Sequence, residues 1–483
     1  MIDKNNVIKI YSKFIECGVN SLNDNQINKC LSCCKAAAQY MYNYNAIYSD
    51  DNIENTILEA CRRIIPHPQN YEHINEGPLL FYSYAPQNGR GLAHIYLDAL
   101  VAMGMPFYWL TFKSYNTLYE NDLIRCIENS NNGVFKEIDD TKSPVSLVEQ
   151  IDAFINEIKP NKALLIPAPW DAEIIGYLGI CKDIQTIYVN GTDHTFWLGK
   201  NIFDKILEFR NFGYSVTKNS RHIPVERIDR LPYYPWPAKK KFKGLSFLNA
   251  GDKLISSGGS LYKIYGSTLF FEIVKRILDT YPKVKFVYIG NGNPDRLLSF
   301  IKNNGYNDRL FYLQEREDFE EIIKLSFFYL NTYPIIGGLM SQYAVANDTI
   351  PLGICESWDK CNDVDELFIE NGNRFIFESK EKLFQEIDKL FLDEQYYEER
   401  KASLKKILFT REMFIEGLKK VMQGIKTGYE LKEEKIDLDR FTNQYYIRGS
   451  LINDLFFCGK TFLKYKFPFI VKKMKQVRKF KSL

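Results

Sequence analysis

The stretch IYVNGTDHTFWLGK, residues 187–200, gathers in one short segment several groups that could do chemistry. An apolar run breaks at Asn190-Gly191, and Asp193 and His194 then stand directly before Phe196 and Trp197. A histidine can take up a proton near neutrality, and a carboxylate can orient it or act as a base itself. Adjacent side chains usually point different ways, so Asp193 and His194 are read as having separate jobs, one as base or orienting group and one as a substrate contact. Trp197 offers a ring face on which a pyranose could stack, while the rival reading makes the rings anchors of the loop.

A second candidate is APQNGRGLAHIYLDAL, residues 85–100. Gly89 and Gly91 let the backbone approach a ligand at a strand-to-helix turn, and are read as acceptor contacts. The helix that begins near Leu92 offers N–H groups and a positive dipole end. His94 falls in its first turn, where the dipole favours the neutral imidazole that a base requires. The pattern is not GxGxxG, so it does not support a dinucleotide site.

A third is NTYPIIGGLMSQYAVANDTIPLG, residues 331–353. Gly337, Gly338, Leu339 and Met340 would lead a helix whose N–H groups can hold a diphosphate, with the Ser341 hydroxyl beside them. Lys263 can reach such a diphosphate as a point charge. Gly290 and Asn291 end a strand and leave room for a base or ribose, and Gln314 ends the next, where an amide can read a pyrimidine edge. The pairs Asp363/Asp365 and Asp437/Asp439 follow no buried strand, so they are read as solvated loops and no metal is expected. Cys30, Cys33 and Cys34 form a CxxCC without a second cysteine or histidine pair, which argues against zinc.

These residues need elements to hold them. A chain of 483 residues exceeds one comfortable core, so two main domains are expected. Residues 1–75 carry helical periodicity, and from Leu79 apolar strands alternate with helices, the signature of a covered parallel sheet. RLPYYPWPAKKK, residues 230–241, interrupts the alternation with three closely spaced prolines. A second set follows: GLSFLNA, VKFVYIG, RLFYL, FFYLNT, TIPLGI and NRFIF. The expected fold class is α/β, with two Rossmann-like domains facing across an interdomain cleft and a helical N-terminal extension. The expected divisions are 1–75, 76–235, 236–435 and 436–483. Ligands of such sheets bind beyond the carboxyl ends of the strands.

Charge is uneven. The net charge is +3, yet residues 455–483 hold nine Lys and Arg and no acid, leaving 54 basic against 60 acidic residues elsewhere. That excludes a nucleic-acid surface throughout and suits a tail for an anionic membrane face. No h-region and no apolar run of about 18 residues is present, so the expected location is cytoplasmic, peripheral at the inner face of the plasma membrane.

The order of these pieces resembles a GT-B glycosyltransferase, the two-Rossmann class that uses nucleotide-sugar donors. DHTFWLG (193–199), with SRHIPVERIDRLP (220–232) downstream, is similar to a DHxFWLG signature of bacterial GT-B enzymes near the O-GlcNAc-transferase-like branch. LYKIYG, VYIGNGNP and YLNTYPIIGG are similar to the donor domain of that class, and the likeness spans roughly residues 76–430. The resemblance implies that Asp193 and His194 belong to an active site and that Lys263 and residues 337–341 contact donor phosphate. It implies a UDP-sugar donor, no separate cofactor, and a saccharide acceptor that could be lipid-linked. The Glu-x7-Glu pair of many retaining relatives is missing, which favours inversion. The first 75 residues lack a tetratricopeptide pattern, which speaks against a protein acceptor. Which of His94, Asp193 and His194 is the base stays open. A nucleotide-sugar epimerase and a non-catalytic nucleotide-sugar-binding protein are the alternatives.

Overall fold

The computed structural model describes residues 4–68, 77–84, 91–114, 121–237, 240–369 and 372–445. The first sheet is built from β1 (Leu79–Ser83), β2 (Phe107–Phe112), β3 (Gly133–Ile138), β4 (Lys162–Ile166), β5 (Gln185–Val189), β6 (Lys205–Glu208) and β7 (Ile228–Arg230). Its order is β3-β2-β1-β4-β5-β6-β7, and every pairing is parallel. LLFYS in β1 is buried at all five positions because helices cover both faces of the sheet. Pro144–Ile158 is one such helix: Ser143 Oγ accepts from Ser146 N at 3.2 Å, and Pro144 occupies the first turn, where a missing N–H costs nothing.

The second sheet comprises β8 (Lys253–Gly258), β9 (Val284–Gly290), β10 (Leu310–Gln314), β11 (Phe328–Leu330), β12 (Ile350–Ile354) and β13 (Ile376–Phe377). Its order, β10-β9-β8-β11-β12-β13, is again wholly parallel. Each sheet reverses strand order once, between β1 and β4 and between β8 and β11, where a crevice opens beyond the strand ends.

Two sequence expectations are corrected here. GLSFLNA is not a strand: Phe247 stacks on Phe311 with centroids 3.8 Å apart, and Gly244 and Gly251 both take positive φ. The strand is the following KLISSG, whose serines disguise an almost fully buried run. Nor are Asp363 and Asp365 solvated. Both pair with Arg374 at 3.2 Å, and Asp365 Oδ2 accepts from Phe375 N and Ile376 N, fixing the entry to β13. Burial pushes the Asp365 carboxyl up to about 6 despite Arg374.

The N-terminal helices Lys4–Asn23, Ile27–Tyr44 and Asp51–Ile64 share one core with Tyr188, Phe196 and Trp197 of the first domain. At the other end, helix Arg411–Met422 crosses back to the first domain. Phe414 meets Tyr96 at 5.0 Å and Tyr234 at 5.5 Å, and Arg411 pairs with Asp98 at 2.6 Å. Helix Leu438–Tyr445 then sets Phe441 against Phe212 at 5.7 Å. No helix among the described residues is long and apolar enough to cross a membrane. The basic tail 455–483 lies outside the described residues.

Candidate active site

Beyond β5 the chain turns at Asn190-Gly191, and Thr195 N closes back on Thr192 O at 3.1 Å. This tight turn makes adjacent residues converge: His194 Nδ1 lies 3.1 Å from Asp193 Oδ1. The two therefore form a dyad, against the expectation of separate directions. Asp193 is 1% exposed and gripped by Arg210, Nε to Oδ2 at 2.6 Å and Nη2 to Oδ1 at 2.9 Å. Burial would raise its pKa, but the Arg210 charge and the hydrogen bonds from His194 and Arg210 outweigh that and hold it well below the usual carboxylate range. A permanent carboxylate at Nδ1 keeps the proton on that nitrogen and leaves Nε2 as the acceptor. His194 is 23% exposed on its side chain and lines the cleft.

The loop is braced from distant parts of the chain. Glu54, from the third N-terminal helix, accepts from Gly199 N (2.7 Å), Lys200 N (2.9 Å) and Asn201 N (3.1 Å). Asn45 Nδ2 donates to His194 O at 2.8 Å. Arg221 is wholly buried, donates to the carbonyls of Asp193 and Thr195, and lies over the Trp197 ring at 4.7 Å. Trp197 itself is fully buried between Tyr188, Phe203 and Arg221, so no ring face is open to a pyranose. It anchors the loop, as does Phe196. The expectation of a stacking platform is corrected.

Glu208 ends β6 beneath the dyad. It accepts from Thr217 Oγ1 at 2.6 Å and Asn190 Nδ2 at 2.8 Å. Burial, then the Asp193 charge, pushes it up to about 7. Gly213 is required beside it, since a Cβ there would sit 2.2 Å from Glu208 Oε2 and 2.8 Å from Asp193 Cβ. Arg210 also donates from Nη1 to Cys361 O of the second domain, and Asn211 N donates to Glu366 Oε2 at 2.6 Å. The dyad is thus tied directly to the facing domain.

From that domain, the turn after β11 is organised by Asn331. Its Oδ1 accepts from Gly337 N at 2.9 Å and its Nδ2 donates to Ser341 Oγ at 2.5 Å. Ser341 is fully buried and engaged in this brace, so its hydroxyl is not presented to the cleft. Helix Gly338–Ala346 starts here, and Ser341 N is bonded to Gly337 O at 3.2 Å, leaving the N–H groups of Gly338, Leu339 and Met340 to lead the helix. Lys263 lies in the short helix Tyr262–Tyr265, and its carbonyl accepts from Ile335 N at 3.3 Å, which places it against the same turn. Gly290 and Gln314 are register partners at the carboxyl ends of β9 and β10. A Cβ on Gly290 would come within 1.9 Å of Gly259 O, so only glycine fits. The Asn291 amide is used internally, accepting from Ser260 Oγ at 2.7 Å and donating to Glu315 at 3.0 Å.

His94 is not brought to this cleft. It is 7% exposed, leans toward Trp236 with centroids 6.3 Å apart, and is absent from the lining around His194. Burial, rather than the helix dipole, lowers its pKa to about 4. Gly91 caps the helix Leu92–Met103 in extended conformation, and Gly89 lies outside the described residues.

The carboxyl ends of both sheets therefore enclose one cleft of about 150 Å³. His194, Asp193 and Arg210 line it from one side and Gly338, Asp359 and Asn362 from the other, with Phe209, Tyr233, Ile336 and Phe441 as apolar wall. Sequence reasoning missed Arg210, Glu54, Asn45 and Asp359. Only Arg221 carried a signal, within the SRHIP run downstream of DHTFWLG.

No protein-family model matches the chain, and no curated protein matches it. Solved structures do. A mutant of the Thermobaculum terrenum O-GlcNAc transferase aligns over 91% of this chain and 84% of its own, with a TM-score of 0.53 and 12% identity. Anabaena Alr3699/HepE, solved with UDP and glucose, aligns over 72% of this chain and 100% of its own, with a TM-score of 0.56 and 12% identity. A putative UDP-N-acetylglucosamine 2-epimerase from Listeria monocytogenes covers 74% and 100%, with a TM-score of 0.50 and 10% identity. The chain has the GT-B fold. Transferases and an epimerase share that architecture, so the choice between them rests on the site.

Proposed function

We propose that this protein is a glycosyltransferase that moves a sugar from a nucleoside-diphosphate donor, a UDP-sugar, to a saccharide acceptor with inversion. The observation that carries the reading is the Asp193–His194 dyad in the same cleft as the leading end of helix Gly338–Ala346. In this mechanism His194 Nε2 takes the proton of an acceptor hydroxyl as its oxygen bonds to the anomeric carbon. The bond from that carbon to the diphosphate oxygen breaks. The N–H groups of residues 338–340 and the Lys263 ammonium then receive the departing negative charge, a role that elsewhere falls to a metal. Asp193 stabilises the imidazolium that forms, without itself taking the proton. The structures of the T. terrenum transferase and of HepE, the latter holding UDP and glucose, support this class of substrate. We extend the proposal to a cytoplasmic enzyme of surface polysaccharide biosynthesis, with a lipid-linked acceptor at the membrane and the basic tail 455–483 as its contact.

The test is UDP release from a panel of UDP-hexoses with mixed glycan acceptors, in EDTA, by wild type, His194→Ala and Lys263→Ala. His194→Ala is expected to lose about 10²–10⁴-fold in turnover with UDP binding retained. Lys263→Ala is expected to weaken UDP binding roughly tenfold. Near-normal behaviour of both variants defeats the assignment. Conversion of the donor hexose without any acceptor would establish the epimerase instead, and saturable binding with no turnover the binding protein.

A further inference from the structure

Asp359 stands between β12 and β13 and is 2% exposed. Its two oxygens are in different situations. Oδ2 accepts from Asn362 Nδ2, which also donates to Pro334 O at 2.8 Å, while Asn362 Oδ1 accepts from Ile336 N at 2.9 Å. Asn362 thus splices the Asp359 segment to the turn that leads into helix Gly338–Ala346. Oδ1, by contrast, is buried with no hydrogen-bond partner, and the residue lines the cleft together with His194 and Gly338. A buried carboxylate oxygen left unpaired is expensive, so its persistence points to a group that arrives with the ligand.

The chemistry of the cleft narrows what that group is. A diphosphate oxygen would be repelled by a carboxylate. Arg210, a cation whose charge acts on Asp359, is already committed to Asp193 and Cys361 O. What remains is a neutral donor, and a hexose linked to a diphosphate at the helix N-terminus carries several hydroxyls. We propose that Asp359 Oδ1 accepts a hydrogen bond from a ring hydroxyl of the donor hexose, and so determines which hexose the cleft holds. This rests on the nucleotide-sugar reading above. Burial pushes the Asp359 carboxyl up to about 7, with the Asn362 bond and the Arg210 charge offsetting only part, and a hydroxyl donating to Oδ1 would bring it down and hold the ionised form that the contact needs.

Asp359→Asn tests this selectively. The Asn362 amide donates to Oδ2, so the new side chain must keep its oxygen there and put its NH2 where Oδ1 was. The brace survives and the acceptor becomes a donor. Calorimetric titration of wild type and variant with UDP, UDP-glucose, UDP-galactose, UDP-GlcNAc and UDP-GalNAc is the measurement. The expected result is unchanged UDP affinity and a loss of about tenfold or more for the hexose that wild type prefers. On wild type, one monodeoxy analogue of that UDP-hexose should show a similar loss, with no further loss on the variant. Equal losses for UDP and UDP-hexose would assign Oδ1 to the ribose and overturn the proposal, as would no loss in either. If Asp359→Asn does not melt cooperatively, Asp359→Glu replaces it: a changed ranking of the four hexoses supports the proposal and an unchanged ranking overturns it. Failure of wild type to bind UDP or any UDP-hexose overturns the nucleotide-sugar reading and this inference together.

Discussion

Arg210 holds Asp193 with two arms of its guanidinium, at 2.6 and 2.9 Å, and reaches the Cys361 carbonyl of the opposite domain with the third nitrogen. One side chain thereby links the geometry of the Asp193–His194 dyad to the way the two domains meet. Fork geometry of this kind belongs to arginine and cannot be copied by a lysine.

Asp193→Asn should therefore keep the packing and lose the chemistry. An amide no longer enforces the proton on His194 Nδ1, so kcat should fall by about 10²–10⁴ while the donor KM stays within a few fold. Steady-state kinetics on the UDP-hexose that wild type uses will show the split. Arg210→Lys should give a smaller fall in kcat.

The same pair sets an acid limit. Asp193 titrates below its unfolded value of about 3.9, so its contribution to stability is fully present above that pH. It disappears as pH falls through the lower folded value. Removing the cation with Arg210→Gln leaves a buried charge without its partner, a cost of about 3–5 kcal/mol. Acid unfolding followed by circular dichroism should begin at higher pH in Arg210→Gln than in wild type.

Glu366 has the opposite sign. Burial drives it up to about 8, with Arg210 only partly opposing, so the folded state holds a proton that the unfolded state releases near about 4.3. Stability from this residue falls as pH rises between those values. Glu366→Gln, neutral at every pH and still able to accept from Asn211 N, should match wild type near pH 5 and exceed it near pH 8. Urea denaturation at the two pH values decides the matter; a variant with the same slope as wild type would refute it.

Trp197→Ala should act on stability, since the ring is buried among Tyr188, Phe203 and Arg221. A loss of about 3–5 kcal/mol is expected from the cavity. Denaturation measured beside UDP binding will separate this from a substrate contact, because binding by the folded fraction should be unchanged.

Much of the frame was legible in order along the chain. Buried parallel strands such as β1, β5 and β9 read as apolar runs, and turn residues marked their carboxyl ends, where Asp193, Gly290 and Gly338 were found. The edge strand β3 was not legible, because its burial alternates, and β7 is three residues long. β8 hid its core face behind two serines, one of which bonds Ser326 at 2.8 Å.

The residue types in DHTFWLG were enough to single out a loop that lines the cleft, because a histidine and a carboxylate at the end of a buried strand need no partners to be noticed. Which way they pointed was decided elsewhere. Glu54 lies 145 residues from the Gly199 N–H it accepts from, and Arg210 lies 151 residues from the carbonyl it donates to. Local periodicity reports only what a segment buries against its neighbours. Charges that find one another across such distances leave no mark on the stretch they control, so the dyad, the burial of Trp197 and the unpaired oxygen of Asp359 emerged only with the packed fold.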